Sequence, residues 1–166
     1  SVLTTRGQTW TVSALPFDGE LYGQAITSDV TIENAPPTAK GSTLTPVPAT
    51  SATPLLAQLD SPVDPDGDAI DVTWTWSVNG TTVLGVTGPE LPTSAFTRGD
   101  LVEATATLED GTATVDLPAI STVIANAYPI VADVEVAPDP AVETSTLSCG
   151  AQINDPENDT VDLTVV

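Results

Sequence analysis

The chain repeats itself. TRGQTWTVSALPFDGE from Thr5 aligns with TRGDLVEATATLEDGT from Thr97, and VTIENAPPTA from Val30 aligns with TVIANAYPIV from Thr122, both at a spacing of 92 residues. SPVDPDGDAIDVT from Ser61 aligns with QINDPENDTVDLT from Gln152 at a spacing of 91. Landmarks that recur in one order at a fixed spacing mark tandem structural units, so any fold must close within about 92 residues. One complete unit then runs over residues 34–125. Residues 1–33 read as the C-terminal strands of a preceding unit, and 126–166 as the N-terminal strands of a following one. The chain is expected to be a piece of a longer array.

Within the unit the signals are those of strands. Thr, Val and Ile are abundant, and Pro or Gly interrupts the chain every eight to twelve residues. Residues 41–47, 53–59, 69–78, 81–86, 90–96, 101–108 and 112–124 are seven strand candidates, the number of an immunoglobulin-like β-sandwich. In the third candidate, Val72, Trp74, Trp76 and Val78 alternate with Asp71, Thr73, Thr75 and Ser77, so the tryptophans belong to a buried face. Asn79-Gly80 then predicts a tight hairpin turn, because both residues tolerate positive φ. The junctions NAPP (34–37) and NAYP (126–129) carry proline, which stiffens the connection between units. The predicted fold class is all-β: tandem sandwich repeats.

Charge removes several classes of function. Only Arg6, Lys40 and Arg98 are basic against 23 acidic residues, giving a formal charge of −20, so nucleic acid and anionic membrane surfaces are not expected partners. Nor is there a run of 18 apolar residues to insert in a membrane. The chain has no His and a single Cys, which excludes Ser-His and Cys-His nucleophile pairs and His or Cys zinc sites. A carboxylate pair of the glycosidase kind needs an aromatic-walled cleft, and three Trp, two Tyr and two Phe hardly supply one. The chain is not expected to be an enzyme.

The succession N-A-P-P, D-P-D-G-D, W-x-W-x-V-N-G, R-G-D/Q and D-G resembles the tandem immunoglobulin-like repeats of large bacterial surface proteins, similar to PKD-type and cadherin-like domains. The resemblance covers the whole chain. It implies an extracellular or cell-surface location and a non-catalytic role as stalk, adhesin or matrix component, often with calcium stiffening the array. It also implies a disulfide between second and sixth strands. Cys149 stands on a second strand where the complete unit has Ala57, while the sixth-strand positions present are Val12 and Ala104. Cys149 is therefore either a small core residue or half of a bridge whose partner lies beyond Val166. Arg98-Gly99-Asp100 opens a strand, and its counterpart in the preceding unit is Arg6-Gly7-Gln8, so it reads as a structural turn.

The acidic loop Asp64-Pro65-Asp66-Gly67-Asp68 is the candidate site. In an immunoglobulin-like fold it meets the loop between the sixth and seventh strands and the linker at one pole, gathering Asp64, Asp66, Asp68, Glu109, Asp110, Glu33 and Asn34. Calcium takes six to eight hard oxygens in a forgiving geometry, which such a set can supply. The twelfth position from Asp64 is Thr75, not a bidentate Glu, so this is not an EF-hand. Asp-Pro-Asp-Gly-Asp is also good turn chemistry by itself, and the sequence leaves the two readings open. Asp155, Glu157 and Asp159 with Asn126 form a second, weaker version, in which Asn158 replaces the glycine.

Three roles follow. The first is a structural or adhesive segment of an elongated extracellular repeat protein whose partners are neighbouring repeats. The second is a segment of a homopolymeric filament in which copies of the chain complete one another's sandwiches by strand addition. The third is a carbohydrate-binding module, which requires Trp10, Trp74 and Trp76 to be exposed.

Overall fold

The computed structural model describes residues 4–164; residues 1–3 and 165–166, the outer ends of the segments expected as flanking units, lie outside the described range. Twelve strands follow in order: β1 Thr9–Ala14, β2 Ile26–Thr31, β3 Gly41–Thr45, β4 Leu55–Asp60, β5 Asp71–Val78, β6 Thr81–Thr82, β7 Glu90–Leu91, β8 Leu101–Glu109, β9 Thr114–Asp116, β10 Ile120–Val123, β11 Ile130–Ala137 and β12 Ser148–Asn154. There is no α-helix among the described residues, only one short 3-10 turn at Thr93–Ala95. No helix there is long and apolar enough to cross a membrane.

Residues 34–125 form two antiparallel sheets, ordered β10-β8-β5-β6 with β9 on β8, and β3-β4-β7. One core lies between them: Leu55 and Ala57 of β4 and Leu91 of β7 face Trp74 and Trp76 of β5 and Val102, Ala104, Ala106 and Leu108 of β8, with Phe96 and Ile124 closing it. The packing rests on size complementarity along β5 and β8. Trp74 stands opposite Ala106 and Trp76 opposite Ala104, so each indole takes the space that a small partner leaves. The Trp76 indole N–H, buried with its ring, donates to the Gly88 carbonyl at 3.0 Å. Burial thus follows the sequence alternation, save that Val72 at the strand's end is 37% exposed.

The Asn79-Gly80 turn forms as expected, with φ of 51° and 76°. Three strand assignments need correction. The span 112–124 is divided into β9 and β10, because Pro118 has no N–H to continue a ladder. The span 90–96 pairs only at Glu90–Leu91, after which Pro92 leads into the 3-10 turn, and 81–86 pairs only at Thr81–Thr82.

Two further hairpins flank this body, β1-β2 and β11-β12. Their registers repeat those of the complete unit: Val12 pairs with Ser28 as the aligned Ala104 pairs with Ile120. Their apolar faces are open. Trp10 is 41% exposed, whereas the aligned Val102 is fully buried. Cys149 is likewise exposed on β12 as a free thiol, opposite Val136, whereas the aligned Ala57 is buried.

Replacing Trp76 by Ala empties the centre of this core and removes the bond to Gly88. The expected cost is about 3–5 kcal/mol of unfolding free energy, read from the urea midpoint by circular dichroism. A cost below about 1 kcal/mol would contradict the core described here.

Candidate functional site

The acidic loop between β4 and β5 is organised around Asp64, the one buried charged residue among those described, 8% exposed. Its Oδ1 accepts the backbone N–H groups of Asp66 at 2.8 Å and Asp68 at 3.1 Å. The Asp64 carbonyl accepts the N–H of Gly67 at 3.2 Å. Gly67 sits at φ 83°, a conformation that costs a residue with a Cβ energy. The turn-chemistry reading is therefore part of the structure. Yet it uses only one oxygen of Asp64; Oδ2 is buried and has no hydrogen-bond partner.

The loop is tied to the linker and to the preceding segment. Asp66 Oδ2 accepts the Ala35 N–H at 2.8 Å. Asp68 Oδ2 forms an ion pair with the Arg6 guanidinium, and the same Nη1 donates to Asn34 Oδ1. The Asn34 amide in turn donates to Asp110 Oδ2 at 2.8 Å, joining the loop between β8 and β9 to the same pole. The bond from Asn34 is the main reason that the Asp110 carboxyl is held below the ordinary aspartate value of 3.8, followed by the N–H of Ala113.

Of the seven residues expected to meet here, Asp64, Asp66 and Asp68 each place a carboxylate oxygen within 4.8 Å of the others, close enough to share one ion. Asn34 and Asp110 join them through hydrogen bonds rather than as ligands. Glu33 and Glu109 are exposed and make no hydrogen bond to the loop among the described residues; Glu109 lies opposite Asp71 on β5 and accepts from Thr114.

The second junction is built the same way. Asp155 Oδ1 accepts the N–H groups of Glu157 at 3.0 Å and Asp159 at 2.9 Å, and Asn158 takes the left-handed conformation at φ 58°. Glu157 Oε1 accepts the Ala127 N–H at 3.0 Å and a bond from the Ser51 hydroxyl. Arg98 donates to Asn126 and pairs with Asp159. The Asp159 bond, and then its charge, hold Arg98 more firmly protonated than usual. Glu157 Oε2 is a second buried oxygen without a partner. Asn126 donates to the Ala127 carbonyl at 2.8 Å. The three acids here are not gathered as closely as Asp64, Asp66 and Asp68.

Sequence reasoning missed the two arginines. Each sits on a turn sewn to the residue just past the strand that leads into the linker, β10 or β2: Gly99 N–H donates to Ile124 O and Ile124 N–H to Asp100 O, and the aligned Gly7, Ile32 and Gln8 make the same pair of bonds. Asp100 Oδ2 accepts the Thr97 N–H at 2.7 Å, and Gln8 Oε1 accepts that of Thr5 at 3.0 Å. A side-chain oxygen is all the position requires, which is why Gln and Asp interchange. The Arg98-Gly99-Asp100 triplet is thus a structural turn whose charged groups are engaged within the chain. The signal was the recurrence itself, since two of three basic residues fall at aligned positions.

Comparison with protein-family models, with curated proteins and with solved structures returned no match.

The lowered Asp110 value has a pH consequence. A depressed carboxylate contributes stability that is complete above its unfolded value and is lost as pH falls through the folded one. The Asn34–Asp110 tie should therefore hold at neutral pH and release only in acid, as pH falls through the depressed value of Asp110. In Asn34→Ala, Asp110 should titrate closer to the ordinary value, as followed by carboxyl carbon NMR. An unchanged Asp110 titration would remove Asn34 as the cause.

Proposed function

We propose that the chain is a non-catalytic segment of an elongated extracellular or cell-surface protein, built of tandem immunoglobulin-like repeats whose junctions are stiffened by calcium. The units are those of the sequence repeat: 1–33, 34–125 and 126–166. The observation that carries this reading is the junction itself, constructed twice at aligned positions. A protein that works by spacing or presenting needs the same joint at every step. At either pole the carboxylates serve backbone N–H groups and arginine.

Support for a cation comes from the oxygens left over. One oxygen each of Asp64, Asp66 and Asp68 is taken by the backbone or Arg6, and the three residues each place a carboxylate oxygen within 4.8 Å of the other two. Three hard oxygens are about half of a calcium shell, with water and carbonyls as the usual remainder. A buried carboxylate oxygen with no donor is costly, and a divalent cation is the simplest group to satisfy it. The open apolar faces of β1-β2 and β11-β12 fit the same picture, since aligned residues are covered within the complete unit.

These faces also favour a second reading, in which copies of the chain complete one another by strand addition. A monodisperse monomer of the full chain in sedimentation velocity would exclude it. The carbohydrate reading loses two of its three aromatics, because Trp74 and Trp76 are buried.

Millimolar calcium, against a magnesium control, should raise the melting temperature of the chain, since a ligand bound only by the native state adds stability. Asp64→Asn keeps an oxygen for the two N–H groups and removes the charge, and it should abolish the calcium-dependent shift. A wild-type melting temperature indifferent to calcium would refute the cation at this junction.

A further inference from the structure

We infer that Arg6 and Arg98 are the docking residues of the array: each guanidinium latches the turn of one repeat to the linker and acidic loop of the next, and so fixes their relative orientation without any metal. The inference goes beyond the calcium reading and does not need it.

The chemistry of the partners matches a guanidinium. At each junction one arginine spans an amide oxygen of the linker, Asn34 or Asn126, and the third acid of the following loop, Asp68 or Asp159. Two acceptors on different segments, met by one planar group of fixed geometry, define an orientation in a way that a single point charge does not. The base of each arginine is itself rigid. Gly7 and Gly99 bond to Ile32 and Ile124, at 2.8 Å in both cases, so the latch arm is anchored at the end of the strand that leads into the linker. The far side is equally fixed, because Asp68 and Asp159 lie in loops capped by Asp64 and Asp155.

Electrostatics assigns the arginines the same task. In a chain of formal charge −20, two of only three basic side chains stand where an acidic loop must approach its neighbour. Without them the loop would face the preceding repeat with uncompensated like charge. The ion pairs are partly solvated, with arginine side chains 37% and 45% exposed. Exposed pairs add little to fold stability and are weakened by salt, so the latch is expected to act on orientation rather than on melting.

The test follows from that distinction. Cys149 is exposed on β12, beyond the second junction, and Thr75 is exposed on the solvent face of β5, before it. Spin labels at Cys149 and at Thr75→Cys report the distance across the junction by pulsed electron resonance, recorded on the full chain with chelator present. The wild-type distribution should be narrow. Arg98→Gln and, from the other side, Asp159→Asn should each broaden it at least about twofold, as should molar salt. The melting temperature of residues 34–125, followed by the buried Trp74 and Trp76, should stay unchanged, and Lys40→Gln should leave the distribution as it was. A distribution equally narrow in wild type and Arg98→Gln would overturn the latch, and so would broadening that appears only with a loss of melting temperature. Chelator excludes calcium throughout, so failure here leaves the cation reading standing, and a calcium-independent melting temperature leaves the latch standing.

Discussion

A carboxylate can be buried only where its oxygens find partners, and one pole of the sandwich of residues 34–125 is arranged around one that finds them for a single oxygen. Asp64 holds the loop by accepting two backbone N–H groups, and in that turn the acids at 64, 66 and 68 place their carboxylates close together. From that turn the rest of the junction follows. Asp66 is positioned to receive the linker at Ala35, and Asp68 is positioned to receive Arg6. The loop's shape is set by local hydrogen bonds and its reach by the linker, so it docks as a preformed surface.

The sandwich supplies the frame for that pole. β5 and β8 run from the acidic loop at one end to the arginine turn at the other, paired over their length with tryptophan set against alanine. Asp71 and Glu109 face each other at the acidic end. At the opposite end the Asn79 amide donates to Asp100 at 2.7 Å, and Asn79 Oδ1 accepts the Leu101 N–H, so the hairpin turn and the arginine turn brace each other. One pair of strands therefore carries both halves of the joint, acceptor loop and donor turn. A rigid core between them transmits orientation from one junction to the next, because close-packed interiors yield little.

Much of this was legible in the sequence, and the reasons are physical. Alternation from Asp71 to Val78 reports burial on one face of a strand, and the structure buries Trp74 and Trp76 as that pattern requires. Asn79-Gly80 and Gly67 announce left-handed backbone, which few residues adopt without strain. Edge strands were less readable: β6 and β7 pair through two residues each, and Pro118 ends a ladder that the composition of 112–124 would continue. The acidic loop was visible as a local cluster, but which of its neighbours reach it was not. Glu33 and Glu109 carry the same carboxylate group as Asp66, and nothing local in the sequence separates the residue that reaches the loop from the two that do not. Arg6 and Asp68 are distant along the chain, and no local pattern connects them.

The two junctions differ in a way that bears on what each can hold. In the first, the inner position of the loop is Asp66, whose short side chain meets the linker N–H and stays near Asp64 and Asp68. In the second, Glu157 is longer by one methylene; its Oε1 accepts both the aligned linker N–H of Ala127 and the Ser51 hydroxyl, and its Oε2 is buried without a partner. The scaffold of the joint, an acid capping its own loop, a linker amide and an arginine, survives this substitution intact. The gathering of carboxylates does not. Latching and the close gathering of carboxylates are thus separable features of one loop: the arginine pair recurs at both poles, and the gathering occurs at Asp64, Asp66 and Asp68.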